Sequence, residues 1–324
     1  MKAIRVDRLG GPEVLQVADV PAPSPGPGEA LVRQSASGVN FIDVYFRTGL
    51  YKRALPFING REGVGVVEAV GDGVTNVKPG DRVAYAQTPN LGGYAEANAV
   101  PARELVHVPD GIDDRDACAV MLQGMTAHYL ASDTFALRPG HVALVHAAAG
   151  GVGSILVQLA KARGATVIAT VGTPAKAELV RGFGADHVIE YATTDFAEAT
   201  RALVGAHGVD VAYDSVGKDT WERSLSLLRQ RGMLVVYGNS SGPVPPVDPQ
   251  RLAGAGSVFL TRPTLVDYVR TPDELAARSN ALFEAMRSGA LHVRVGATYP
   301  LAAAADAHRD LEARKTTGKI LLIP

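Results

Sequence analysis

Strand-like and helix-like patterns of hydrophobic residues alternate through the middle of the chain. An apolar run at 141–148 predicts a strand, and the amphipathic stretch that follows it through Lys161 predicts a helix. The run at 166–171 predicts the next strand, and Pro174 is a favourable first residue for the next helix. Further strand patterns lie at 187–191, 209–216, 233–238 and 258–261. This alternation predicts an α/β fold with a doubly wound parallel sheet.

The first 120 residues show a different pattern, which predicts short strands separated by turns. Such spacing is typical of a small barrel or an irregular sandwich. Near residue 113 the pattern changes, because Asp113 or Asp114 can cap a helix that runs through Thr126. The clearest strand patterns of this part lie at 29–38, 65–70 and 81–86.

The C-terminal tail predicts two helices and two strands. The helices lie near 273–288 and 302–313, and the strands lie near Val293 and at 319–323. This mixture follows the alternating region and predicts that the tail returns to the first domain.

Length, composition and charge narrow the class of protein. A chain of 324 residues exceeds what one hydrophobic core usually serves, so two domains are expected. A net charge of −1 offers no basic surface for nucleic acid or membrane lipids. The single cysteine, Cys118, excludes an intrachain disulfide and a multi-cysteine zinc site. No signal-peptide pattern and no membrane-spanning run are expected, and a cytoplasmic location is predicted.

A glycine loop between the strand at 141–148 and its helix predicts a dinucleotide site. Gly150 and Gly151 let the backbone approach a pyrophosphate, and Gly153 lets the helix pack close to the strand. The phosphates would meet the free amides and positive dipole of the helix N-terminus. Ala148 stands where the usual fingerprint has its first glycine. The alternative is a glycine-rich turn that binds no ligand.

The end of the second strand favours NADPH over NADH. NAD-binding domains usually place an acid about 20 residues after the glycine loop, where it binds the ribose hydroxyls. Here no Asp or Glu occurs from 165 to 177, and Lys176 lies one turn into the following helix. A lysine attracts the 2′-phosphate that a carboxylate would repel. The alternative is that Lys176 is a solvated surface residue.

Several motifs together resemble the bacterial NADPH:quinone oxidoreductases, the zinc-free, zeta-crystallin-like branch of the medium-chain dehydrogenase/reductase superfamily. The resemblance covers the whole chain and implies a Rossmann domain inserted into a GroES-like, barrel-like β domain. It implies domain limits of 1–122, 123–263 and 264–324, bound NADPH in a cleft, and a homodimer joined through edge strands near 258–261. The motifs are Asn40-Phe-Ile-Asp-Val-Tyr45, Gly49-Leu-Tyr51, the glycine loop, Val171-Gly-Thr-Pro-Ala-Lys176, Asp214-Ser-Val-Gly217 and Tyr237-Gly-Asn-Ser-Ser-Gly242.

The same resemblance implies roles for individual residues toward NADPH. The resemblance implies that the 2′-phosphate and adenosine ribose are held by Lys176, Tyr191 and Arg314. The alternatives are that Tyr191 is an ordinary strand tyrosine and that Arg314 is a solvated helix residue. Contacts to the pyrophosphate are implied for Gly150, Gly151 and Val152. Contacts to the cofactor from the end of the second strand are implied for Gly172 and Thr173. Contacts further along the cofactor are implied for Asn40, Phe41, Thr126, Tyr129, Val216 and Asn239. Thr126 and Tyr129 could instead only pack their helix.

The resemblance also indicates that no zinc is bound. Zinc members of the superfamily carry Cys at the position of Asn40 and His at the position of Arg61, and they have a four-cysteine lobe that this chain lacks. The eight histidines are scattered and form no helical HxxxH pair. Without a metal, the substrate must be electrophilic by itself.

The chemistry that remains is hydride transfer from NADPH to a conjugated acceptor, and a quinone fits best. Asn40, Tyr45 and Tyr51 are predicted to supply hydrogen-bond donors for the developing oxyanion, while Asp43 is expected to orient its neighbours. Tyr45 and Tyr51 could instead be packing residues. The first alternative is reduction of an activated carbon–carbon double bond in an enoyl thioester or alkenal, with Tyr51 as proton donor. The second is a cofactor-binding structural or RNA-binding protein, against which the near-neutral charge argues.

Overall fold

The computed structural model describes residues 1–88 and 90–324 and divides into two compact units. The first unit comprises Met1–Met125 and Tyr268–Pro324, and the second unit comprises Thr126–Asp267. In the described part of the chain, no helix has both the length and the apolar character needed to cross a bilayer.

The strands and helices are labelled in chain order. The strands are β1 (Lys2–Val6), β2 (Gln16–Asp19), β3 (Glu29–Val39), β4 (Phe57–Ile58), β5 (Glu62–Val70), β6 (Arg82–Ala86), β7 (Ala97–Pro101), β8 (Val106–His107), β9 (Val142–Val145), β10 (Thr166–Val171), β11 (His187–Glu190), β12 (Val209–Asp214), β13 (Leu228–Val236), β14 (Phe259–Thr261), β15 (Val295–Pro300) and β16 (Lys319–Ile323). The helices are α1 (Phe41–Thr48), α2 (Asp114–Tyr129), α3 (Gly151–Ala162), α4 (Pro174–Gly182), α5 (Phe196–Val204), α6 (Trp221–Leu225), α7 (Pro249–Gly254), α8 (Pro272–Arg287) and α9 (Ala304–Glu312).

The second unit is built on a six-stranded parallel sheet with the order β11-β10-β9-β12-β13-β14. Every residue of β12 is buried, as expected for a strand that helices cover on both faces. Leu144, Ile168, Trp221 and Leu234 belong to the core cluster of this unit. The strand order reverses direction at β9, and in such sheets ligands bind outside the carboxyl ends of the strands at this point. The predicted doubly wound sheet is confirmed.

The first unit is built on strands from both ends of the chain, which pair antiparallel except for the parallel pair β15 and β16. Its larger sheet has the order β15-β16-β3-β5-β6-β8, with β7 also paired to β3, and a smaller sheet has the order β2-β1-β4. The C-terminal strand β16 pairs antiparallel with β3, so that Leu321 lies opposite Gly38. The tail therefore contributes a strand to the sheet that the N-terminal part of the chain forms.

The expectation of only short strands in the first 120 residues is wrong at α1. Asn40 and Asp43 occupy the capping-box positions: Asp43 Oδ2 accepts a 2.8 Å hydrogen bond from the Asn40 backbone N–H, and the Asp43 N–H donates to the Asn40 carbonyl at 3.0 Å. This motif satisfies two of the amides that a helix N-terminus leaves without partners. Gly49 ends the helix in the left-handed conformation, with φ +83°. A helix of eight residues between strands has too few turns for its periodicity to stand out.

Candidate functional site

In the second unit, the predicted cofactor residues follow the carboxyl ends of successive parallel strands. Because these ends share one edge of the sheet, residues far apart in the chain are collected there. Gly150, Gly151 and Val152 follow β9, Gly172 and Thr173 follow β10, Tyr191 follows β11, Val216 follows β12 and Asn239 follows β13.

The glycine loop leaves the N-terminus of α3 open. Gly150 is the N-cap residue in an extended conformation, and no side chain of the described chain caps the helix. A Cβ atom on Gly153 would lie 2.5 Å from the carbonyl oxygen of Ala147 and 2.7 Å from Cα of Ala148, so only glycine allows this close approach. The left-handed residue of the turn is Ala147, with φ +50°. Open amides at a helix N-terminus fit a pyrophosphate.

Lys176 and Tyr191 lie beyond the neighbouring strands β10 and β11. Thr173 caps α4 by accepting a 3.4 Å hydrogen bond from the backbone N–H of Lys176, which places Lys176 in the first turn of that helix. The backbone N–H of Tyr191 donates to the carbonyl of Val171 at 3.0 Å. A Cβ atom on Gly172 would lie 2.8 Å from the hydroxyl oxygen of Tyr191, so the tyrosine ring lies against this glycine. Tyr191 remains 41% exposed and is accessible to a ligand.

Asp214 organises the turn that carries Val216, and sequence reasoning assigned it no role. Its Oδ1 accepts hydrogen bonds from the backbone N–H groups of Val216 at 2.8 Å and Gly217 at 2.9 Å. Its Oδ2 accepts a hydrogen bond from the Thr220 hydroxyl at 2.7 Å. A fully buried carboxylate with three donors fixes the backbone of this turn.

In the first unit, α1 carries an aromatic cluster composed of Phe41, Tyr45, Phe46 and Tyr51. The ring centroids of Tyr45 and Tyr51 are 5.3 Å apart, and those of Phe46 and Tyr51 are 5.7 Å apart, both edge-to-face. The Phe41 ring lies 6.3 Å from that of Tyr45. The backbone N–H of Tyr51 donates to the Tyr45 carbonyl at 3.0 Å, which ties the loop after α1 back to the helix. The predicted residues Phe41, Tyr45 and Tyr51 are thus brought together.

Asn40 precedes this cluster, and its side-chain amide is fully engaged within the first unit. Oδ1 accepts hydrogen bonds from Lys319 Nζ at 2.9 Å and Gln123 Nε2 at 3.1 Å. Nδ2 donates to Glu62 Oε2 at 2.8 Å and to the Gly38 carbonyl at 3.3 Å. Because both amide hydrogens have acceptors, this arrangement suits Asn40 to positioning α1 rather than to donating toward a substrate.

Asn40 belongs to a buried ion-pair cluster that sequence reasoning missed. Lys319 and Glu62 form an ion pair, and their side chains are 1% and 0% exposed. The second carboxylate oxygen of Glu62 accepts a 2.7 Å hydrogen bond from the Leu122 backbone N–H. One signal was available, since Lys319 begins an otherwise apolar strand and a lysine is rarely buried without a partner.

A directed chain of hydrogen bonds connects Asp43 of α1 to the surface of the first unit. Tyr94 donates its hydroxyl to Asp43 Oδ2 at 2.9 Å, and Tyr94 Oη lies 3.0 Å from His308 Nε2. His308 Nδ1 lies 3.1 Å from Arg47 Nη1, which can only donate, so His308 carries its proton on Nε2. Arg47 donates both Nη groups to Glu312 at 2.7 and 2.9 Å.

Burial shifts the pKa values of the acid and the imidazole in this hydrogen-bond chain in opposite directions. Desolvation raises the pKa of Asp43 to about 7, although hydrogen bonds from Asn40 and Tyr94 oppose the rise. Desolvation, aided by the nearby Arg47 charge, lowers the pKa of His308 to about 3. The pKa of Tyr94 is raised well above its ordinary value by the same burial and by Asp43. His308 is therefore neutral near pH 7.

Three further residues were predicted to contact the cofactor and lie elsewhere in the sequence: Thr126, Tyr129 and Arg314. Thr126 and Tyr129 occupy the C-terminal turn of α2 and are 7% and 2% exposed. Arg314 belongs to the first unit, where it follows α9 as an exposed residue with φ +57°.

The donor set at Asn40 and Arg61 does not fit zinc. Asn40 is engaged by Lys319 and Glu62, and Arg61 donates to the carbonyl oxygens of Thr88 at 3.2 Å and Gln87 at 2.8 Å. A guanidinium offers only hydrogen-bond donors, and the Asn40 oxygen already accepts two hydrogen bonds, so neither side chain suits zinc. Across residues 1–88 and 90–324, no group of three His, Cys, Asp or Glu side chains is arranged to hold a metal.

Comparison with protein families agrees with the two-unit architecture. Residues 26–110 match the alcohol dehydrogenase GroES-like domain, and residues 151–276 match the family described as zinc-binding dehydrogenase. Together with the inserted parallel sheet, these matches define a medium-chain dehydrogenase/reductase. The family description includes zinc, but the donor set of this chain does not suit it.

Comparison with individual relatives shows to which family of this superfamily the chain belongs. The chain is 48% identical to a quinone oxidoreductase of Pseudomonas aeruginosa over 100% of this chain and 99% of the relative. It is 44% identical to a 2-haloacrylate reductase of a Burkholderia species, over 98% of both chains. The structure of Escherichia coli quinone oxidoreductase complexed with NADPH superposes with a TM-score of 0.98 at 44% identity and covers 100% of both chains. The chain belongs to the quinone oxidoreductase family.

Proposed function

We propose that this protein reduces quinones by hydride transfer from NADPH without a metal ion. The observation that carries the proposal is the full-length similarity to quinone oxidoreductases, including one solved as an NADPH complex, in a chain that retains the open glycine loop. Bound NADPH supplies a hydride from its nicotinamide ring. The domain limits of 1–122, 123–263 and 264–324 are part of this proposal, with the middle domain for NADPH and the outer segments for the substrate.

The cofactor contacts are assigned from the positions of the residues in each unit. In the second unit, Gly150, Gly151 and Val152 would bind the pyrophosphate at the open helix end, and Gly172, Thr173, Lys176 and Tyr191 would bind the adenosine ribose and 2′-phosphate. Arg314 of the first unit is assigned to the same phosphate. Further along the cofactor we assign Asn40, Phe41, Thr126, Tyr129, Val216 and Asn239.

On the substrate side, we assign Tyr45 and Tyr51 as hydrogen-bond donors to the reduced oxygen. Asn40 acts as a positioning residue, because its amide groups already have partners. A quinone becomes aromatic on reduction, so no metal is required to polarise it. Orientation of two flat rings and exclusion of water would provide most of the rate enhancement.

Lys176→Ala is expected to weaken NADPH binding by roughly 10- to 100-fold, the value of a lost charge-assisted hydrogen bond. NADH lacks the 2′-phosphate, so its affinity should stay unchanged. Fluorescence titration of both cofactors measures this difference. Lys161→Ala is a suitable control, because Lys161 pairs with Asp186 in the same unit. Equal losses for NADPH and NADH in Lys176→Ala would show that the lysine is structural.

A second candidate function is reduction of an activated carbon–carbon double bond. The 44% identical 2-haloacrylate reductase favours it, because such an acceptor is an alkene and not a quinone. The enolate formed from an alkene is far more basic than a hydroquinone anion and needs a positioned acid, commonly worth ~10²–10⁴-fold in rate.

Tyr51→Phe separates the two reactions, because it keeps the ring against Tyr45 and Phe46 and removes only the hydroxyl. For quinone reduction we expect kcat to fall by less than about tenfold, below the general-acid range, with NADPH affinity unchanged. Steady-state kinetics with NADPH against a quinone, an alkenal and an enoyl thioester provide the measurement. A much larger loss with native NADPH binding would identify Tyr51 as a proton donor and favour the alkene reaction.

Zinc is expected to be absent from the purified protein, and chelators should leave turnover intact. The reason is the unsuitable donor set at Asn40 and Arg61. Elemental analysis together with activity after dialysis against a chelator tests this prediction. A stoichiometric zinc ion that turnover requires would contradict it.

A homodimer is also part of the proposal. The strand β14 ends the six-stranded sheet, and its residue Phe259 is 56% exposed. An apolar side chain on an outer strand supports pairing with a second copy, and the mass in solution tests it. A cytoplasmic location completes the proposal, and cell fractionation tests it. The RNA-binding alternative has little support, because the net charge is −1.

A further inference from the structure

Arg61 is a half-buried cation that forms no ion pair with any residue the structure describes. Burial lowers the pKa of its guanidinium; the acids Asp43 and Glu104 oppose this through space, and Arg53 adds to it. Arginine remains protonated in proteins even so. A partly desolvated guanidinium that has no counter-ion in residues 1–88 and 90–324 is a favourable site for an anionic ligand.

The close approach of the backbone at Gly60 and two hydrogen bonds define the position of Arg61. Gly60, the preceding residue, has φ +89°, and a Cβ atom there would lie 2.7 Å from the backbone nitrogen of Tyr94. Arg61 Nε donates to the Thr88 carbonyl at 3.2 Å, and Nη2 donates to the Gln87 carbonyl at 2.8 Å. Gln87 itself has φ +63°, a conformation that costs free energy in a residue other than glycine. The guanidinium is therefore held in one orientation.

The third nitrogen of the guanidinium, Nη1, forms no hydrogen bond with residues 1–88 or 90–324, and Arg61 as a whole is partly exposed. The guanidinium carbon lies 5.6 Å from the centroid of the Phe46 ring, and Phe46 packs edge-to-face against Tyr51. Two N–H donors of a fixed cation thus stand beside the aromatic cluster of α1.

We propose that Arg61 is a specificity-determining residue that binds an anionic substituent of the acceptor. This proposal rests on the proposed reductase function and names its substrate class: quinones or activated alkenes that carry a carboxylate or sulfonate next to the reacting group. Nη1 donates to the anion, and the charge remains on the guanidinium throughout. The flat face of such an acceptor suits the neighbouring rings.

The competing interpretation is that Arg61 only fastens Gln87 and Thr88 to the first unit. A fastening role affects every acceptor equally, because it changes the shape of the site. An anion-binding role affects only acceptors that carry the negative charge. The two interpretations therefore differ in the ratio of kcat/KM between a charged and a neutral substrate.

The experiment compares 1,4-naphthoquinone with 1,4-naphthoquinone-2-sulfonate as acceptors, using NADPH and the full chain. Arg61→Gln should lower kcat/KM for the sulfonate by roughly 10- to 100-fold, mainly through KM, which is the value of a charge-assisted hydrogen bond. The neutral quinone should change by no more than about twofold. Arg61→Lys keeps the charge but loses the planar fork, so its loss should be intermediate.

Arg33→Gln is the matched control. Arg33 lies in the same unit and makes an exposed ion pair with Glu68, so its replacement removes one positive charge from the surface. The acceptor ratio should stay at the wild-type value in this variant. Equal losses for both quinones in Arg61→Gln, or the same ratio change in Arg33→Gln, would overturn the proposal.

Two further measurements use the wild type and therefore test the proposal even if Arg61→Gln fails to fold. In the wild type, raising the salt concentration should reduce turnover of the sulfonate more than turnover of the neutral quinone, because salt screens the attraction. Naphthalene-2-sulfonate should inhibit the wild type more strongly than naphthalene does, and equal inhibition would contradict the proposal. Failure of the wild type to reduce either quinone would instead overturn the proposed function itself.

Discussion

Lys319→Met is expected to lower the free energy of unfolding by about 3–5 kcal/mol, because it leaves a buried carboxylate without its counter-ion. Lys319 Nζ donates to Glu62 and to Asn40 Oδ1, and both ion-pair side chains are at most 1% exposed. Methionine fits the space of the lysine stem but satisfies neither oxygen. Chemical denaturation at pH 7, followed by circular dichroism, gives the change in stability.

Lys2→Met is the matched control for this prediction. Lys2 makes a 2.7 Å ion pair with Asp19 in the same unit, but the two side chains are 53% and 76% exposed. Exposed pairs are worth about 0–1 kcal/mol, so this variant should stay close to wild type. The double change Lys319→Met with Glu62→Met should recover part of the loss, because no isolated charge remains. A loss in Lys319→Met as small as that in Lys2→Met would refute the prediction.

Asp43 and His308 are expected to contribute opposite pH dependences to stability between about pH 4 and pH 6.5. Asp43 has a folded pKa of about 7, above the ordinary 3.8, so the native state holds a proton that the unfolded state has lost. Its contribution to stability therefore falls as pH rises through this window. His308 has a folded pKa of about 3, below the ordinary 6.5, so the unfolded state holds the extra proton. Its contribution therefore rises with pH.

Each slope amounts to about 1.4 kcal/mol per pH unit, so the two nearly cancel in the wild type. Removing one group exposes the other. Relative to wild type, Asp43→Asn should gain roughly 3 kcal/mol between pH 4.5 and 6.5, and His308→Gln should lose a similar amount over the same range. The asparagine keeps an oxygen for Tyr94 and the Asn40 N–H, which both donate to Oδ2 in the wild type.

Denaturation curves of the three proteins across pH 4.5–6.5 measure these slopes. The charges of Lys319 and Glu62 also act on Asp43, and Arg47 acts on His308, but all three remain in every variant. Their contributions therefore cancel in the comparison with wild type. Curves that stay parallel to the wild type would show that Asp43 and His308 keep their ordinary pKa values.

The elements that were predicted well are those with a long and regular local pattern. The strands at 166–171 and 319–323 lie where the sequence placed them. The strand expected at 233–238 begins earlier, at Leu228. The sequence pattern missed this start because the first half of the strand contains Arg229, Gln230 and Arg231 and shows no apolar run. Charged residues on a partly exposed strand give no periodic signal, so pairing with β12 was needed to reveal it.

The candidate site was predictable to the extent that its chemistry is local. The glycine loop, the missing acid at 165–177 and the position of Lys176 follow from adjacent residues, and each implies the same ligand. The placement of Tyr45 and Tyr51 in one aromatic cluster required the helix α1, which the pattern did not predict. A residue type can be noted in a sequence, but its partners depend on the packing of other elements.

The sequence by itself determined the α/β alternation and the phosphate-binding loop of this protein, because backbone geometry and hydrophobic period are properties of neighbouring residues. Only the tertiary structure decided that the Asn40 amide is occupied, that one edge of the Arg61 guanidinium has no partner within residues 1–88 and 90–324, and that His308 is neutral. The partners responsible lie far apart in the chain: Lys319 is 279 residues from Asn40, and His308 is 214 residues from Tyr94. Burial and charge pairing depend on which distant side chains the fold brings into contact, and no local pattern encodes that.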